Sequence, residues 1–365
     1  MVILLRILLL ALALALGSAT VAAAPPRKTP AASAASVALP ALNADLSKTS
    51  VSGISSGAYM AGQFSVAFSS TVIGAGLVAG GPYYCSGTVG APPYVPYLST
   101  AMSTCMNPAS SHVPPPVAGI SWSDARMFSQ WGRIDNTGNL AQQKIYLFSG
   151  IADQTVTRAV VDQTARFYQL AGVTPANLLY VVSYDAGHAF ITDVTTDHDC
   201  ALTESPYINN CAYTQASAIL NHIYGTLLPP SATLSGKIVK FNQRSFVRDA
   251  YSSMSNDAYV YIPAACNRTL RCRVHIAFHG CQQGAETIGN LFYTGAGYNL
   301  VADANNIIVL YPQVSSSPVY PYNPRGCWDF WGYTSVNPFI PDFYLKSGTQ
   351  MAAVKAMLDR LGAAR

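Results

Sequence analysis

Ser55 lies within Gly53-Ile54-Ser55-Ser56-Gly57, a G-x-S-x-G pattern. Such a pattern makes a sharp strand-to-helix turn that presents a serine hydroxyl. That hydroxyl is a weak nucleophile at its own pKa. It needs an imidazole to take its proton and an acid to orient the imidazole. In a parallel sheet such groups sit at the carboxyl ends of strands. "KIYLFSGIADQTV" puts Asp153 just past a strand-like run, and "LLYVVSYDAGHAF" puts His188 just past the next. We assign Ser55 as nucleophile, Asp153 as orienting acid and His188 as base. Asp185 is the alternative acid. Asp162 and His222 fall inside helical patterns, and His198 sits beside a cysteine in an acidic loop, so they are poorer candidates.

Acyl transfer also needs two N–H groups aimed at the developing oxyanion. Ser56, the residue after the nucleophile, supplies one. The other ordinarily comes from an H-G loop earlier in the chain, yet little chain precedes Ser55. "RVHIAFHGCQQGAE" carries His279-Gly280 at the end of a much later strand-like run. Cys281 is therefore the second expected donor, and His279 is expected to be structural. This inverted order is what a circular permutation would produce. The last helix would feed the strand before Ser55, and "PPSATLSG" (229–236) would join the original ends.

The elements that must position these groups alternate. Strand-like runs occur in "KTSVSGI", "VIGAGLVAG", "KIYLFSG", "LLYVVSY", "DAYVYIP", "RVHIAFHG" and "NIIVLYP". Helical patterns cover "AYMAGQFSVAF", with Met60, Phe64, Ala67 and Phe68 on one face, "RAVVDQTARFYQLAG", "SAILNHIYGTLL" and about 349–361. The alternation predicts an α/β fold, a mostly parallel sheet with helices on both faces.

Residues 1–24 read as a secretory signal peptide. Arg6 precedes an apolar run from Ile7 to Leu16, and small residues lead to cleavage near Ala23 or Ala24. The run is too short to span a bilayer, and no later segment is long and apolar enough, so stable membrane insertion is not expected. The protein is expected to be secreted, extracellular or periplasmic. Residues 25–38 are a flexible Pro/Ala-rich lead-in, and 39–365 are one catalytic domain with an internal linker at 229–236. A dispersed net charge of +4 excludes a nucleic-acid interface. Only 10% of residues are charged, while 22 are tyrosine, a surface suited to an insoluble apolar solid. Export and eight cysteines imply disulfides. About a hundred pairings are open. Short loops favour Cys200–Cys211 and Cys266–Cys272, which leaves Cys85–Cys105 and Cys281–Cys327. The spacing fits no metal site.

"HGCQQ", "LYPQ", "NPRGCWDFWGY", "GISSGAYMA", "SGIADQTV" and "YDAGHAF" resemble motifs of secreted polyhydroxybutyrate (PHB) depolymerases and related feruloyl and acetylxylan esterases. Their order is similar to that of the circularly permuted, single-domain depolymerases of the α/β-hydrolase superfamily, over nearly all of residues 45–360. The resemblance implies a serine esterase acting through an acyl-enzyme, with no metal and no cofactor. It carries over Ser55, Asp153 and His188 as the triad, and Ser56 and Cys281 as the oxyanion hole. The implied partner is a polyester surface or an ester oligomer, and a monomer is expected. Many relatives add linker and substrate-binding modules after the catalytic domain; this chain ends with its helix. Two other readings stay open: a carbohydrate esterase of feruloyl or acetylxylan type, and a non-catalytic secreted protein that binds polymer or wall. In the aromatic cluster "YNPRGCWDFWGY", Trp328 is a candidate wall of the acyl pocket if Cys281 pairs with Cys327, with Trp331 expected in the core. Tyr59 is the other substrate-binding candidate.

Overall fold

The computed structural model describes residues 37–88, 96–267, 270–337 and 340–365. The expected signal peptide and most of the lead-in lie outside the described residues. The strands are β1 (Asp45–Ile54), β2 (Val72–Val78), β3 (Lys144–Phe148), β4 (Leu178–Val181), β5 (Phe190–Thr192), β6 (His198–Asp199), β7 (Ile208–Asn210), β8 (Lys237–Asn242), β9 (Asp257–Ile262), β10 (Arg273–Phe278) and β11 (Ile307–Tyr311). The helices are α1 (Ser56–Ala67), α2 (Pro96–Met102), α3 (Ala118–Gln130), α4 (Arg158–Leu170), α5 (Gln215–Tyr224), α6 (Ala285–Ile288), α7 (Leu291–Gly295), α8 (Tyr298–Ala304) and α9 (Thr349–Gly362).

Side chains alternate across a strand, so a strand covered on both faces feeds two separate cores. That division is plain here. Ile145 and Leu147 of β3 join one apolar cluster, while Tyr146 and Phe148 join the other. In β11, Ile308 and Leu310 go to the first cluster and Ile307, Val309 and Tyr311 to the second. Met60 and Phe64 of α1, Phe167 of α4 and Val354 and Leu358 of α9 cover the first face. Ile219 and Leu220 of α5 and Val301 of α8 cover the second. The eight-stranded sheet runs β4-β3-β2-β1-β10-β11-β9-β8. Its pairs are parallel except those of β9, which is antiparallel to β11 and β8. β5, β7 and β6 form a small second sheet. The expected α/β class is the class observed.

β1 sits mid-sheet, between β2 and β10. Two strands far apart in sequence thus end side by side: β1 at Ser55 and β10 at His279. The segment before β1 also meets the end of α9. Leu42 and Ala44 N–H both donate to Leu361 O (3.1 and 3.0 Å), and Asn43 N–H donates to Ala363 O at 3.0 Å. The 229–236 stretch joins α5 to β8, with Ser231 N–H donating to Leu300 O.

A buried polar cluster fastens β1 to β10. His275 places Nδ1 2.7 Å from Ser50 Oγ and Nε2 2.7 Å from Ser52 Oγ, and its ring stacks on Tyr298. Burial pushes its pKa down to about 3, and that of His279 to about 4. A depressed histidine pKa means that the unfolded chain binds the proton first. Stability from these residues is complete above about pH 6.5 and is lost as pH falls toward 3–4, by roughly 1.4 kcal/mol per pH unit and per histidine. Urea melts from pH 7 to pH 4 should therefore show a steep loss of stability. His275→Gln should flatten that slope, and an unchanged slope would contradict the assignment.

Candidate active site

The elbow is built by close packing around Ser55. The residue has φ 56° and ψ −125°, a conformation that side chains rarely adopt. Its N–H donates to Val78 O at 2.9 Å, and its carbonyl accepts from Ala58 and Tyr59 N–H as α1 begins. A Cβ on Gly53 would stand 2.2 Å from Gly57 O, and one on Gly57 would stand 2.4 Å from both Phe278 O and His279 O. Both glycines of the motif are thus demanded by backbone approaching backbone. The contact of Gly57 brings the end of β10 against the elbow.

Asp153 and His188 meet. His188 Nδ1–H donates to Asp153 Oδ2 at 2.8 Å, and both side chains are buried. Asp153 Oδ1 accepts from Thr155 and Val156 N–H (2.8 and 3.0 Å), which fixes the carboxylate's rotation. His188 N–H donates to Thr203 Oγ1 at 2.8 Å. An imidazole held by Nδ1 in this way is free to accept a proton at Nε2. His188 and Ser55 line the same cavity. The alternative acid, Asp185, is exposed. Asp162 accepts from Tyr180 OH, the His222 ring lies 3.0 Å from Asn177 O, and the His198 ring lies 3.4 Å from Glu204.

The turn after β10 stands beside Ser55. A Cβ on Gly280 would lie 3.4 Å from the Ser55 Cβ. Gly280 N–H donates to Gln283 Oε1 (2.7 Å), and Gln283 Nε2 donates to Pro206 O and Tyr207 O. His279 is buried and doubly tied to the main chain. Val314 N–H donates to its Nε2 at 3.2 Å, so Nδ1 carries the proton and donates to Gly280 O at 2.7 Å. Gly280 and Cys281 both line the cavity, and Ser56 begins α1, where the first N–H groups have no partner within the helix. The Cys281–Cys327 disulfide ties this turn to the aromatic loop. The other bonds are Cys85–Cys105, Cys200–Cys211 and Cys266–Cys272.

The cavity has a volume of about 400 Å³. Leu98, Met102, Met106, Tyr322 and Trp331 are among its apolar and aromatic lining. This corrects the assignment within the aromatic loop. Trp328 is fully buried, edge-on to Phe278, and does not line the cavity. Its backbone N–H donates to Ser56 Oγ at 3.2 Å, so it braces the elbow. Trp331, expected in the core, is the indole at the cavity wall. Tyr59 does line the cavity. It is buried, stacks on Phe330 with centroids 4.3 Å apart, and gives its hydroxyl to Cys105 O.

Asp329 explains the difference between the two indoles. Its buried carboxylate accepts from the N–H groups of Trp331, Gly332, Tyr333 and Thr334 and from the Thr334 hydroxyl. Burial pushes its carboxyl above the usual range, while these bonds favour the anion. The hub curls the loop so that residue 328 points inward and 331 toward the cavity. Asp329→Asn keeps the shape but removes the charge and one acceptor. It should lower stability by about 1–3 kcal/mol in a denaturant melt. A change under about 0.5 kcal/mol would contradict the hub.

A mostly parallel sheet covered by helices on both faces, with a serine on an elbow at the carboxyl end of β1 and a buried aspartate–histidine pair past β3 and β4, is the arrangement of an α/β hydrolase. No protein-family model matches the chain. The chain is 39% identical over 333 residues to a poly(3-hydroxybutyrate) depolymerase of Delftia acidovorans, covering 90% of this chain and 62% of that relative. It thus spans less than two thirds of that protein. It is 36% identical over 348 residues to a polyhydroxybutyrate depolymerase of Talaromyces funiculosus, covering 91% of this chain and 94% of the relative. Among solved structures it is similar to a PHB depolymerase complexed with an R3HB trimer, carrying a serine-to-alanine substitution (TM-score 0.78, 34% identity, 89% of this chain and 99% of that one). It is similar too to the PHB depolymerase from Penicillium funiculosum (TM-score 0.77, 34% identity, 89% and 99%). The chain belongs to the polyhydroxybutyrate depolymerase family, whose members are carboxylic ester hydrolases.

Proposed function

We propose that this chain is a secreted serine esterase that hydrolyses poly(3-hydroxybutyrate) or its oligomers. The observation that carries the reading is the Asp153–His188 pair opening on the same apolar cavity as the elbow serine and the 280–281 turn. Ser55 Oγ attacks the ester carbonyl while His188 Nε2 takes its proton. Asp153 stabilises the imidazolium that forms. The N–H groups of Ser56 and Cys281 receive the oxyanion. Collapse breaks the acyl–oxygen bond, and His188 returns the proton to the leaving alcohol. Water, deprotonated by His188, then releases the 3-hydroxyacid from Ser55. The names of both curated relatives support polyester as the substrate, and four disulfides support an oxidising compartment.

The circular order belongs to the same proposal. If strands are counted from β8, and the count is carried past the chain ends to β1, they cross the sheet from edge to edge with one exchange, β10 for β11. The hydrogen bonds from residues 42–44 to Leu361 and Ala363 support that count.

Incubation with an amorphous polymer film tests the substrate. Clearing with release of 3-hydroxybutyrate units, read by mass, is expected. Good aryl-ester turnover without clearing would favour a carbohydrate esterase. A serine-directed phosphonate should label Ser55, and no labelling would end the enzymatic reading.

A further inference from the structure

Apart from His188, the wall of the cavity carries, among the described residues, a single ionisable group of fixed charge, Arg325. The rest of that wall is uncharged: apolar Leu98, Met102 and Trp331 line the same cavity, together with neutral polar groups such as Gln282 and Asn323. The Arg325 side chain is exposed, and among the described residues it has no ion pair. Asp153 is committed to His188 and Glu204 faces His198. The backbone below the guanidinium is held on two sides: Arg325 O accepts from Gln282 N–H at 2.7 Å, and Cys327, two residues on, is bonded to Cys281. The backbone that carries this cation is therefore anchored beside the turn that faces Ser55. A neutral polyester interior offers it no counter-ion.

An oligomer does offer one. Each 3-hydroxybutyrate oligomer ends in a free carboxylate, and in ester cleavage that end belongs to the leaving alcohol. We propose that Arg325 recognises the terminal carboxylate of the leaving fragment, so that the site prefers soluble oligomers with a free acid end. The proposal rests on the esterase reading above. In the step, the acyl–oxygen bond breaks, His188 protonates the departing alkoxide, and the fragment leaves as a hydroxy-carboxylate paired with the guanidinium. Arginine's planar fork suits a carboxylate better than the point charge of lysine does. Arg325 is exposed, so salt screens the pair.

The test compares the linear 3-hydroxybutyrate trimer as free acid with its methyl ester. At low ionic strength the native protein should show a KM about five- to tenfold lower for the acid, and the preference should shrink as salt is added. Arg325→Gln should bring the two KM values within about twofold, and Arg325→Lys should restore part of the gap. If native protein shows no preference, or Arg325→Gln shifts both substrates equally, the proposal is overturned while the esterase reading stands. If neither trimer is cleaved, the esterase reading fails. Calorimetry on Ser55→Ala protein still decides about Arg325: the acid should bind about fivefold more weakly once Arg325→Gln is added, and equal binding overturns the proposal.

Discussion

Asp153→Asn should lower kcat for ester hydrolysis by about 10⁴-fold and leave the fold intact. The reason lies in how the carboxylate is held. Thr155 and Val156 N–H both donate to Oδ1. In the variant those two donors keep the amide oxygen, which forces the NH₂ group toward His188 Nδ1. That nitrogen must then accept, so the ring proton moves to Nε2. An imidazole protonated at Nε2 cannot take the proton of Ser55. Rates on a soluble ester, with a melt to verify folding, measure the effect. A loss below about a hundredfold would mean that Asp153 does not set the tautomer.

Gly57→Ala should damage both stability and rate. Its new Cβ would lie 2.4 Å from two carbonyl oxygens, that of Phe278 at the end of β10 and that of His279 just after it, and neither is the far end of a flexible side chain. The elbow and the turn after β10 must separate. We expect a loss of about 1–3 kcal/mol and a fall in kcat of about 10²–10³, the effect of misplacing one oxyanion donor. Gly62→Ala in the same helix is the control. There the Cβ would meet Leu77 Cδ1 at 3.6 Å, an ordinary contact, and the helix should gain about 0.5–1 kcal/mol. If the two variants behave alike, the packing explanation is wrong.

Much of this arrangement was legible in the sequence because it follows from regular elements. Asp153 and His188 each follow a strand-like run, and neighbouring parallel strands end side by side. Gly280 was legible for the same reason. What escaped was set by long-range packing or by elements too short to show a period. "KIVKFN" forms β8 at the sheet edge, where Lys237 and Lys240 break the apolar signal. The strands β5, β6 and β7 have two or three residues each, too few for alternation to register. α1 was expected to bury one face, yet all twelve of its residues are buried. Helix periodicity cannot reveal an element enclosed on every side. The exchange between Trp328 and Trp331 depends on the Asp329 hub and on Ser56, a residue 272 positions away. Gln283 and Thr203, which brace the turn and the histidine, carried no signal beyond "HGCQQ" for the first.

The meeting of residues 42–44 with residues 361–363 also has a practical side. Leu42 and Leu361 touch at the amino end of β1, whereas Ser55 follows its carboxyl end. Ten strand residues separate the two, roughly 30 Å at the usual rise. A surface anchor or an added module attached near residue 365 therefore emerges on the rim away from the cavity. Immobilised by that end, the molecule turns its mouth toward the surrounding liquid.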